Sequence, residues 1–147
     1  MLFALLTKSR ILWAVIYFWI MSGTFQALFT PTLLQSFPNY EFWRYWLVHG
    51  GLVICAIYPL FNLNWTLDWK DVVKSMLALN VLAFVMYHLN SFLGSNYMYL
   101  NKNPGGDTLY AILGEWPIYI LQLEGIMVVL FSFWYFVAQR IIAQRLN

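Results

Sequence analysis

The chain has 147 residues, of which 62% are apolar types and only 10% charged, against roughly 25% charged in an ordinary soluble domain. That balance excludes a soluble globular enzyme and leaves an integral membrane protein. The net charge of +2 includes no basic cluster larger than two nearby residues, so nucleic acid is not an expected partner, and the single cysteine, Cys55, excludes an internal disulfide and any multi-cysteine metal site.

In chain order, residues 1–10 open with an apolar hexamer too short to span a bilayer, which reads as an interfacial turn or the end of a helix. Residues 11–29 form the first stretch long enough to cross, since a bilayer core needs about 20 helical residues. Ser22, Gly23, Gln26 and Thr30 recur along it at helical spacing, a small and polar stripe that suits close helix packing. Pro31 to Glu41 is an extended outer loop. Residues 42–61 make the second span, and Asn62–Asp71, with Trp65 and Trp69, reads as an interfacial anchor. The third span is 74–93. The long outer loop 94–116 fits either a lid or re-entrant segment, or a plain surface loop. Within it, Asn103-Pro104-Gly105-Gly106-Asp107 signals a turn, with Asp107 placed to cap a short helix through Ile112 before Gly114. Residues 117–138 are the fourth span.

The fold class is therefore all-α, a single membrane domain over residues 1–147 built as a polytopic bundle of four transmembrane helices. Strands are excluded because the stretches show no sustained alternation. Lys8, Arg10, Lys70, Lys74, Arg140 and Arg145 fall on one side of the spans, and only Arg44 and Lys102 on the other. The positive-inside rule places both termini in the cytoplasm of a multi-pass protein of the cell membrane. The Ser22-Gly23-Thr24 stretch is a weak processing site, so no cleavable signal is expected.

Gln26, His49, Asn80, His88, Asn90 and Glu124 are polar or ionisable groups inside these spans, which is costly in hydrocarbon and marks a functional site by default. Counted from the outer end of each span, Gln26, His49, His88 and Glu124 lie roughly 6–11 Å deep, one layer drawn from four helices. By helical phase His49 shares a face with Phe42, Tyr45, Val53 and Ala56, while Asn80, Tyr87, Ser91 and Gly94 form a stripe flanked by His88 and Asn90. Gln122 and Glu124 point to opposite sides, and Glu124 suits the interior, with a histidine as its expected partner. His49, His88 and Glu124 are the catalytic candidates. Gln26, Asn80, Tyr87, Asn90 and Asn96 are the substrate-binding candidates. The plain alternative is a buried hydrogen-bond network holding four helices together. Cys55 lies six residues beyond His49, hence about 9 Å deeper, and reads as a packing residue.

Gln26-Ala27-Leu28 followed by Thr30-Pro31, then Phe37-Pro38, Tyr45-Trp46-Leu47-Val48-His49-Gly50, Asn96-Tyr97-Met98-Tyr99-Leu100 and Gly114-Glu115-Trp116-Pro117 carry a resemblance over nearly the whole chain. From about Ala14 onwards it resembles the bacterial YwaF-type integral membrane proteins. More distantly it is similar to the eukaryotic transmembrane protein 164 family, whose members are implicated as acyltransferases remodelling ether phospholipids. The resemblance matches His49 and the Tyr87-His88 pair to family positions. It implies a cysteine partner for His49 on an earlier helix than any present here, and hence that the chain corresponds to a carboxyl-terminal part of the family fold.

Three functions follow as expectations. The first is a lipid acyltransferase-like protein or a remnant of one, with His49 as general acid or base, His88 and Glu124 tuning it, and the outer loop shaping an acyl-chain slot. Ser91 is the substitute nucleophile that the spans offer. The second is haem ligation by His49 and His88. The third is a non-catalytic subunit whose partner is another membrane protein or a second copy. The leading reading requires membrane lipids as partners and neither cofactor nor metal.

Overall fold

A computed structural model describes residues 1–29, 31, 33, 35–103 and 112–146, and all the regular structure in them is helical. The order is α1 (Leu2–Leu6), α2 (Arg10–Trp19), a π-helical turn (Ile20–Thr24), α3 (Phe25–Ala27), α4 (Tyr40–Asn62), α5 (Trp69–Leu93), a 3-10 turn (Tyr97–Tyr99) and α6 (Ile118–Leu146). Among the described residues three helices are long and apolar enough to cross a membrane, over Tyr40–Asn62, Trp69–Leu93 and Ile118–Arg145. The first predicted stretch is not one of them. It is helical from Arg10 to Ala27, but the π turn at Ile20–Thr24 divides it. The helix through Ile112 predicted from Asp107 falls mostly outside the described residues.

The chain divides into two compact units, residues 1–75 with 131–147, and residues 76–130. The first has α2 at its heart. Trp13, Ala14, Tyr17, Phe18, Ile20 and Met21 are buried, as are Ala56, Leu60, Phe131 and Ala138. Ser9 caps α2 by accepting from the Leu12 N–H, 3.4 Å, and α1 buries only Ala4. Interhelical hydrogen bonds then fix the packing. The Trp13 indole donates to the Ala56 carbonyl at 2.9 Å, the Trp19 indole to Ser75 at 3.2 Å, and the Ser75 hydroxyl returns to Val15 at 2.9 Å. The Tyr17 hydroxyl donates to the Trp134 carbonyl, and Phe18 stacks on Phe131 with centroids 5.4 Å apart.

The start of α5 is built as a reciprocal capping box. The Asp71 N–H donates to Asp68 Oδ1 at 3.2 Å, and the Asp68 N–H donates to Asp71 Oδ2 at 3.0 Å, satisfying two donors that a helix start leaves open. Asp71 is 1% exposed. Arg10 grips it in two-pronged fashion, Nη1 to Oδ1 at 3.2 Å and Nη2 to Oδ2 at 2.5 Å, and also donates to the Thr66 carbonyl. Lys74 adds an ion pair at 3.5 Å. The predicted anchor loop is thus packed and not merely interfacial: Leu67 is buried, Trp65 meets Trp13 edge-on, and Gln139 donates to the Leu67 carbonyl at 2.6 Å. Arg145 reaches the Leu60 carbonyl, which is why α6 continues eight residues past the predicted end at Ala138.

Replacing Arg10 with Met leaves the buried Asp71 with Lys74 as its only cation. Because Arg10 is about one-third exposed, the loss should be about 1–3 kcal/mol, below the full value of a buried pair. Thermal unfolding of detergent-solubilised protein checks this; an unmoved midpoint would remove the clamp from the fold's support.

Candidate functional site

In the first unit the polar chemistry collects on one face of α4. Asn39 caps that helix by accepting from the Glu41 N–H at 3.0 Å, and Glu41 sits in the first turn, where the helix dipole favours negative charge. Glu41, Arg44, Tyr45, Val48 and His49 then recur at helical spacing and, with Leu33 and Gln35, line a cavity of about 430 Å³. Arg44 donates to Glu41 Oε2 from Nε at 3.0 Å and again from Nη2.

His49 is held twice by Tyr45. Its ring stacks on the Tyr45 ring, centroids 4.1 Å apart at 28°, and Nδ1 lies 2.8 Å from the Tyr45 carbonyl. A carbonyl can only accept, so Nδ1 carries the proton, and the lone pair of the neutral ring sits on Nε2. The Tyr45 hydroxyl donates to the Ala27 carbonyl at 2.6 Å, which sets the end of α3 level with this part of α4. Gln26 and His49 therefore sit about one turn apart in depth, with Gln26 exposed. Cys55 does not line the cavity, in keeping with six residues of helical rise.

In the second unit Asn80 and Glu124 meet. Asn80 Nδ2 donates to Glu124 Oε2 at 3.2 Å and to the Met76 carbonyl at 3.1 Å. Both residues, together with Tyr87, line a cavity of about 530 Å³ whose other walls are Ala83, Phe84, Leu100, Trp116, Pro117, Ile120 and Leu121. This corrects the expected pairing within this unit, because Glu124 takes its hydrogen bond from Asn80 and not from His88. Asn80 faces Glu124 while Tyr87 shares a cavity with Trp116 and Pro117, so the beginning of α6 lies beside the last turns of α5 and not level with its end. His88 is eight residues beyond Asn80, about 12 Å along the axis. It is exposed and packs edge-on to Phe84 and Tyr87.

What fills the height beside the last turns of α5 is the outer segment 94–103, folded back on asparagines. Asn90, 1% exposed, donates to the Tyr97 carbonyl at 2.9 Å and to Asn101 Oδ1 at 2.8 Å, and accepts from the Ser95 hydroxyl and the Tyr97 N–H at 2.9 and 2.8 Å. Asn96 donates to the Lys102 carbonyl and accepts from the Asn101 and Lys102 N–H groups. Two donors and two acceptors are the working capacity of such an amide. Asn90 spends all of it on the loop, leaving nothing for a ligand. The Trp116 indole donates to Leu100 at 3.0 Å, and the Tyr119 hydroxyl to Tyr99. Ser91, too, is engaged: it donates to the Tyr87 carbonyl and accepts from Asn101.

Sequence reasoning singled out His49, Asn80, Tyr87 and Glu124 but passed over Arg44, Glu41 and Asn101. The first two were readable from their spacing to His49. Asn101 was not, because its role exists only once the loop has folded back. Among the described residues no cluster of three metal-ligating side chains occurs.

Apolar helices of membrane-crossing length, with cavities along them that hold a few polar side chains, define a multi-pass integral membrane protein. A family model, that of the TMEM164 family, matches residues 1–135, and the chain belongs to that family. No curated protein and no solved structure matches it.

Two measurements test this geometry. In protein labelled with ¹⁵N at histidine, neutral His49 should show a protonated Nδ1 and an unprotonated Nε2; the opposite tautomer would break the Tyr45 contact. Replacing Asn90 with Leu removes four hydrogen bonds, each worth about 1 kcal/mol net, and should open segment 94–103 to protease well before the helices are cut. Equal protection in the variant would refute the asparagine anchor.

Proposed function

We propose that the chain is a membrane-lipid acyltransferase-like protein in which His49 is the acid–base group. The observation that carries this is the hold of Tyr45 on His49, Nδ1 against the Tyr45 carbonyl and ring on ring, which directs the Nε2 lone pair to be the free one in a cavity that also holds the Arg44 and Glu41 charges. A general base needs this combination of correct protonation state and held geometry. Nε2 takes the proton of an attacking lipid hydroxyl and returns it to the leaving oxygen, so transfer between two lipids needs no covalent intermediate on the protein. Arg44 supplies a donor for the oxygen that gains charge. Family membership supports a lipid-facing role, and the YwaF-type likeness belongs to the same proposal.

For orientation we propose four spans, the divided helix 10–27 included, with both termini cytoplasmic in the cell membrane. The support is that Arg10, Asp71, Lys74 and Arg145 gather where α2 and α5 begin and α4 and α6 end, so most of the basic residues share one end of the first unit.

The second reading, a non-catalytic subunit, is favoured by one observation: among the described residues, no cysteine, serine or threonine lines the His49 cavity. In vesicles of labelled diacyl and lyso phospholipids, His49→Ala should lower acyl transfer by about 10²–10⁴-fold, the usual worth of acid–base catalysis, with the protein still folded. Turnover equal to wild type would remove His49 from the mechanism. An inactive wild-type chain that gains activity only with a partner protein would support the subunit reading.

A further inference from the structure

The Asn80–Glu124 cavity has a polar end of unusual composition. Both N–H groups of Asn80 are spent, on Met76 and on Glu124, so what the pair presents to the cavity is acceptors, Asn80 Oδ1 and the second carboxylate oxygen; the Tyr87 hydroxyl, two turns along α5, is the neutral polar group that shares the lining. The Trp116 indole, another donor in the lining, is committed to Leu100. Among residues 76–130 Lys102 is the sole lysine or arginine, it does not line the cavity, and no ion pair of the described residues includes Glu124. The half-buried Glu124 carboxylate thus has no counter-charge among the described residues, and in a hydrocarbon surrounding such an acceptor is costly to leave unmatched.

Apart from the Tyr87 hydroxyl the remaining wall is apolar, with Phe84, Ile120, Leu121 and Trp116 as its larger side chains. At about 530 Å³ the cavity falls within the roughly 300–1,000 Å³ of small-molecule sites. A ligand that satisfies both parts must bring hydrogen-bond donors, a positive charge and one hydrocarbon chain. We propose that this cavity binds a single-chain amphiphile whose head is a protonated amine, the ammonium meeting Glu124 and Asn80 Oδ1 and the chain lying along Phe84 and Leu121. The site is built without any residue of the His49 cavity, and the inference stands whether or not His49 is catalytic.

The test measures retention of radiolabelled dodecylamine by the full chain in detergent micelles, with dodecanol as the uncharged competitor of equal chain length. Wild-type protein should retain the amine saturably. Glu124→Gln, which keeps size and shape, should weaken it at least about tenfold, the scale of a hydrogen bond to a charged group. Dodecanol should compete at least about tenfold more weakly than unlabelled dodecylamine. Leu121→Trp, which fills the wall and leaves Glu124 in place, should abolish retention even if Glu124→Gln fails to fold. Equal retention by a folded Glu124→Gln protein, or equal competition by dodecanol, would overturn the amine assignment. Unchanged retention by Leu121→Trp would overturn the cavity as the site. His49→Ala should bind as wild type does, so loss of acyl transfer and loss of amine binding are separate results.

Discussion

Helices in lipid gain nothing from hiding apolar surface from one another, because the tails around them are as apolar as leucine, so packing and interhelical hydrogen bonds must hold them. The first unit meets this constraint by having side chains donate to backbone carbonyls of neighbouring helices. Trp13 to Ala56, Tyr17 to Trp134, Trp19 to Ser75 and Ser75 to Val15 all follow this pattern. Helical carbonyls already bonded along their own helix have a second lone pair to offer. Three of these four bonds start on α2, which places that helix at the centre and makes its neighbours' registers depend on it. The His49 cavity inherits this order, since Tyr45 is the next link, tied to Ala27 at the end of the same helical run.

The second unit solves the same problem with amides. Asn90 and Asn96 bind backbone and side-chain groups of segment 94–103, which irregular backbone near a membrane requires if its polar groups are to be satisfied. Folding this segment back determines what Glu124 meets. Because Leu100 and Trp116 occupy the height beside Tyr87, α6 begins lower along α5, and Asn80 rather than His88 comes opposite the carboxylate.

This contrast explains what the sequence could reveal. The three long helices follow from hydropathy over about 20 residues, a local property, and their predicted bounds differ from those observed mostly by a few residues. The largest miss, at the end of α6, arose because Gln139 and Arg145 look like the exit from a hydrophobic span, whereas carbonyls of Leu67 and Leu60 receive them. The π turn at Ile20–Thr24 carried only the hint of Ser22-Gly23. His49 and its face were legible because Glu41, Arg44, Tyr45, Val48 and His49 share one helix. The partner of Glu124 was not, because depth counted from helix ends assumes that the ends are level, and the level is fixed by loop hydrogen bonds that no periodicity encodes.

The two cavities also differ in the chemistry they present. The one at His49 offers both signs of charge, an imidazole with a lone pair, and Arg44 donors beside Glu41 acceptors. Such a mixture can give and take a proton and steady a developing negative charge, which are the requirements of ester exchange. The cavity at Glu124 offers two acceptors and the Tyr87 hydroxyl above an apolar wall, which suits holding and orienting the cationic head proposed for it. A polar group in a membrane helix is therefore not one kind of signal. Asn90 spends its capacity on the loop, His49 keeps a lone pair available, and Glu124 keeps an acceptor, and only the accounting of donors and acceptors separates support from chemistry.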